Sequence, residues 1–128
     1  MLRFAASLGA THYVWAPKHD PAHRRRWAHP PTASHLSEIP ELGAVGDALG
    51  VTWCYGLSPV LARGRTARDR AAITRRLAPL LAAGVRTFVL AFDDTWATLT
   101  PRLAGATRGR EQGDLVRGVG GALSDVAG

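Results

Sequence analysis

Three runs of apolar residues punctuate the chain, each arriving just after a glycine. The first is Thr11-His12-Tyr13-Val14-Trp15-Ala16 after Gly9, closed by Pro17-Lys18. The second is Val51-Thr52-Trp53-Cys54-Tyr55-Gly56-Leu57 after Gly50, closed by Ser58-Pro59. The third, Val85 to Phe92 after Gly84, ends on Asp93-Asp94. All are rich in β-branched and aromatic residues, the composition of strands. The third run is continuously apolar from Phe88 to Phe92, which predicts a strand buried on both faces.

Helical periodicity fills the intervals. Ile73, Leu77, Leu80 and Leu81 share one face between a candidate cap at Thr66 and a stop at Gly84, with Pro79 marking a kink or an early break. Ile39 to Leu49 predicts a shorter helix with Pro40 near its first turn. Leu115, Val116, Val119, Ala122, Leu123 and Val126 predict a helix over 114–127, and the residues before Gly9 read as the end of another. Residues 17–37, with their prolines, histidines and arginines, read as a long loop, and 100–113 as a mobile one. Alternating helices and strands at this spacing predict an α/β fold with a parallel sheet. Right-handed crossovers then gather the strand ends, and with them Lys18, Ser58, Asp93 and Asp94, on one rim.

That rim is where chemistry is expected in parallel α/β folds. Two adjacent carboxylates cannot both ionise freely, so one is pushed toward a raised pKa and can serve as a proton donor near neutral pH. An Asp-Asp turn capping the next helix is the plainer alternative for the same residues. Lys18 is the only lysine in a chain that otherwise uses arginine for positive charge, which singles out a compact ammonium at a strand end.

Composition narrows the picture. A length of 128 residues allows one modest domain. The net charge of +6 is spread along the chain and argues weakly for an anionic partner. No apolar stretch is long enough to span a bilayer, and no signal peptide is read at the N-terminus, so the expectation is a cytoplasmic or an unassigned location. Cys54 is the only cysteine, so an internal disulfide is excluded. His19 and His23 have the four-residue spacing of a helical zinc pair, but Pro17 and Pro21 oppose a helix there and no third ligand is evident, so no metal site is expected. Arg24-Arg25-Arg26-Trp27 could stack on a nucleic acid, yet the cluster is short and a solvated loop is the simpler reading. Gly56-Leu57-Ser58-Pro59-Val60 lacks the closing glycine of a nucleophile elbow, which argues against a serine hydrolase.

The same segments, taken in order, resemble a known family. Tyr13 to Asp20, with His23-Arg24 and Trp27, resembles the YxYAPKDDxxHRxxWR segment of the glycoside hydrolase family 84 β-N-acetylglucosaminidases, which include the O-GlcNAcases. Trp53 to Pro59 is similar to the family's FxYAxSPG strand, and Gly84 to Asp94 to its GxRSFALxFDD strand. The likeness is strongest over 1–96, and 1–128 as a whole reads as part of a catalytic domain. It implies a partial TIM (β/α)8 barrel holding strands two to four. The first strand would then lie before Met1 and strands five to eight beyond Gly128. It also implies roles. Asp93 would orient the 2-acetamido group of the substrate and stabilise an oxazoline intermediate. Asp94 would be the general acid and then the general base, and Lys18 would contact the sugar. The acetamido oxygen attacks the anomeric carbon, so neither an enzyme nucleophile, a cofactor nor a metal is called for. Three positions depart from the pattern: His19 stands for an Asp, Ala28 for an Arg and Val60 for a Gly. The expected substrate is a glycan or glycoprotein bearing N-acetylglucosamine. A complementary barrel fragment or self-association is the expected protein partner. The competing readings are a non-catalytic or partner-dependent remnant of the barrel and a small basic nucleic-acid-binding module.

Overall fold

The computed structural model describes residues 1–17, 19, 21–59, 67–92 and 105–127. Its elements run α1 (Leu2–Ser7), β1 (His12–Trp15), α2 (Ala33–Ala48), β2 (Thr52–Leu57), α3 (Ala67–Ala82), β3 (Thr87–Leu90) and α4 (Gly105–Ala127). The strands form one parallel sheet in the order β1-β2-β3. This is an α/β fold with the strand-helix alternation the sequence predicts.

The three glycines repeat one local device. Gly9, Gly50 and Gly84 have φ values of 75°, 65° and 113°. In each case the glycine N–H donates to the carbonyl three residues back, as Gly50 does to Asp47 at 3.1 Å. The next residue then donates five back, as Val51 does to Gly46 at 2.9 Å. A left-handed residue thereby satisfies the last helical carbonyls and turns the chain straight into a strand.

One face of the sheet carries the core. Trp53, Tyr55 and Leu57 of β2 are buried against Ile39 of α2 and Ile73, Leu77 and Leu80 of α3, with Tyr13, Trp15, Phe88 and Leu90 packed beside them. Trp15, Tyr55 and Phe88 stand in register across all three strands. Their rings are 5.7 and 6.5 Å apart at inclined angles, favourable for aromatic pairs. The opposite face is lined by small side chains, among them Val14, Cys54 and Val89, with Gly56 between them.

Four expectations are corrected. β3 is half-buried along its whole length, because it lies at the edge of the sheet; β2, between two neighbours, is the buried strand. α2 begins at Ala33, six residues earlier than its apolar pattern suggests. Thr32 caps it by accepting from the His35 N–H at 3.3 Å, and the helix absorbs Pro40 in its interior. α3 likewise runs through Pro79 to Ala82, held by the buried Leu77 and Leu80. Residues 105–113, read as a mobile loop, form the first part of α4, which packs on α3 through Leu115, Val119 and Leu123.

Gly46 shows how closely α2 approaches the sheet. A Cβ there would lie 2.6 Å from the Val51 carbonyl oxygen, a backbone atom that cannot rotate away. Helix propensity alone would make Gly46→Ala stabilising by about 1 kcal/mol. The contact reverses the sign: overpacking of this kind costs about 1–3 kcal/mol, and urea denaturation of the variant is expected to show a lower midpoint.

Candidate active site

The parallel register brings the carboxyl ends of all three strands to one edge. Leu57 pairs with Leu90, and the ladder continues one step further as the Ala91 N–H donates to the Leu57 carbonyl at 2.9 Å. Ala16-Pro17, Ser58-Pro59 and Ala91-Phe92 therefore form the described part of the rim. Of the residues expected there, Ser58 is described, whereas Lys18, Asp93 and Asp94 lie outside the described residues. Ser58 is 2% exposed. Its N–H donates to the His23 carbonyl at 3.3 Å, tying the strand end to the segment that follows β1.

That segment, residues 21–29, is a series of turns rather than a solvated loop. The Arg26 N–H donates to the Pro21 carbonyl at 2.7 Å and the His29 N–H to the Arg26 carbonyl at 2.9 Å. His23 and Trp27 are buried, and Trp27 belongs to the hydrophobic core, while Arg25 and Arg26 face solvent. An indole used as core cannot also serve as a stacking platform for bases, which removes the main support for the nucleic-acid reading. His19 is exposed and His23 buried, so the pair does not present two imidazoles alike.

Beneath the segment sits a group the sequence reading missed. Arg76, on α3, is 0% exposed. Its Nη1 donates to the His29 carbonyl and its Nη2 to the Tyr55 hydroxyl, both at 2.8 Å. The signal was present: Arg76 falls three residues after Ile73 and four before Leu80, on the apolar stripe of α3, where an arginine must be buried with partners.

Cys54 is 1% exposed, and its thiol is directed at the Thr52 carbonyl at 3.6 Å. Burial pushes its pKa up, so it stays a protonated thiol at neutral pH, a poor nucleophile and a poor metal ligand. Among the described residues, no three of His, Cys, Asp and Glu come together, and no helix is long and apolar enough to cross a membrane.

The whole length of the chain can be set against known proteins. A family model described as beta-N-acetylglucosaminidase, NAGidase, matches residues 1–124. The chain belongs to this family. Among solved structures, a mutant of the O-GlcNAc hydrolase of Thermobaculum terrenum superposes with a TM-score of 0.77 at 22% identity, covering 98% of this chain and 28% of that one. The protein CpGH84B superposes with a TM-score of 0.71 at 25% identity, covering 91% of this chain and 20% of that one. The chain thus spans about a quarter of the length of these glycosidase-family structures. Its three parallel strands form a partial barrel-like sheet flanked by helices, part of a TIM barrel as the family resemblance implies.

Proposed function

We propose that this NAGidase-family chain supplies the acid/base sector of a β-N-acetylglucosaminidase barrel, acting on terminal N-acetyl-β-glucosaminides by substrate-assisted, retaining hydrolysis. The shared rim of three parallel strands, in a chain matched over 1–124 by the NAGidase model, carries this reading. The sequence continues from that rim directly into Lys18 on one side and Asp93-Asp94 on the other.

In this mechanism Asp93 is ionised and accepts the acetamide N–H, which sharpens the attack of the acetamide oxygen on the anomeric carbon. Asp94 begins protonated and donates to the leaving oxygen. It then takes a proton from the water that opens the oxazoline. Lys18 contacts the bound sugar. Like charge in adjacent positions holds the two protonation states apart.

The assay is hydrolysis of aryl N-acetyl-β-glucosaminides by the chain joined to the remaining strands of the Thermobaculum terrenum hydrolase barrel, with folding checked by circular dichroism. Turnover is expected to follow a bell-shaped pH profile. It rises as Asp93 ionises and falls as Asp94 loses its proton. Fluorination of the acetamido methyl drains electron density from the attacking oxygen and should slow turnover with each added fluorine. Turnover indifferent to fluorination would mean that an enzyme group attacks instead.

A further inference from the structure

We propose that Arg76 is a positioning residue: its buried guanidinium anchors segment 21–29 to the carboxyl edge of the sheet. The segment has two internal turn hydrogen bonds but neither a strand ladder nor a regular helix. Three contacts tie it to the rest of the molecule. At one end the Ser58 N–H holds the His23 carbonyl at 3.3 Å. In the middle the Trp27 side chain enters the core. At the far end Arg76 holds the His29 carbonyl at 2.8 Å.

The choice of residue is informative. Arg76 is fully buried, and among the described residues no carboxylate pairs with it; its acceptors are a carbonyl and a phenol. A buried cation with only neutral acceptors is costly, and a leucine or methionine would fill the same stripe of α3 without that cost. What the apolar residue could not do is donate in two fixed directions at once. The planar guanidinium does so, joining α3, the Tyr55 hydroxyl of β2 and the segment after β1 in one cluster. Tyr55, which receives the second bond from Arg76, lies three residues before Ser58, so both contacts trace back to β2 and the residue that follows it.

The bearing of this anchor on sugar binding rests on the glycosidase reading above, but the anchoring can be measured without it. The probe is trypsin, which cuts after Arg24, Arg25 and Arg26, with the fragments identified by mass and amide exchange followed in parallel. In Arg76→Met, losing a charged hydrogen bond at one end of the segment should speed cleavage at these arginines, and exchange across 21–29, by about tenfold or more. Exchange in β2 and α3 should stay near wild type. Arg76→Lys keeps the cation without the fork and should fall between the two, which also serves if the Met variant does not fold. Tyr55→Phe leaves the His29 contact and should remain close to wild type in cleavage. Leu77→Ala, a cavity variant of the same helix, should raise exchange throughout the core instead. Wild-type cleavage rates in Arg76→Met and Arg76→Lys, or acceleration spread evenly as in Leu77→Ala, would overturn the proposal.

Discussion

Asp94→Asn in the completed barrel should lower turnover of phenyl N-acetyl-β-glucosaminide by about 10²–10⁴-fold, the usual worth of a positioned general acid or base. The loss depends on the leaving group. Phenoxide departs poorly unless protonated, whereas dinitrophenoxide is stable as the anion, so the dinitrophenyl substrate should lose far less in its first step. Asp93→Asn should behave differently. In the proposed mechanism it removes the charge that supports the oxazoline, which forms whatever the leaving group, so both substrates should slow together. A folded fusion with the same activity on phenyl glycoside before and after Asp94→Asn would remove this residue from the mechanism. Equal losses on the two substrates would mean that it does not act as the acid.

The chain by itself should turn over the same substrates at least a thousandfold more slowly than the completed barrel. Positioning of reacting groups can supply roughly 7–11 kcal/mol, and forfeiting about 4 kcal/mol of it already amounts to a factor near 10³. The reason is visible in the sheet. β1 and β3 each have a neighbour on one side only among the described strands, and β3 is half-buried throughout. Val14, on the face away from the helices, is 45% exposed. Unpaired strand edges and uncovered apolar surface favour association. Sedimentation of the isolated chain should therefore shift with concentration, and joining the remaining strands should raise melting temperature and solubility together. A strictly monomeric chain with a sharp, cooperative unfolding transition would contradict this. So would robust turnover by that monomer, abolished by Asp94→Asn.

Much of the scaffold was legible in the sequence because it is written in local chemistry. Gly9, Gly50 and Gly84 mark the helix ends because only a left-handed residue closes the last turn there at little cost. The aromatic and β-branched runs following them become the three strands, and their spacing by helices makes the sheet parallel. From those facts alone the strand ends had to share an edge. The family could be read in the same residues, since its motifs lie on the strands and the turns that leave them.

Only the tertiary structure decided which residues those elements bury. The third run reads as buried on both faces, yet β2 is the buried strand, because burial depends on having neighbours on both sides. Pro79 looked like a kink or a break and Pro40 like a first-turn residue, yet both lie inside helices, where one missing hydrogen bond is outweighed by the packing of Ile39 and of Leu77 and Leu80. His23 and Trp27 belong by composition to a basic loop; contact with Ser58 and the core draws them inward. Arg76 is the sharpest case. Its position on the apolar stripe was readable, but its two acceptors lie 47 and 21 residues away in the chain. No local pattern encodes a contact of that separation; it exists because the fold brings a carbonyl and a phenol within reach of one guanidinium.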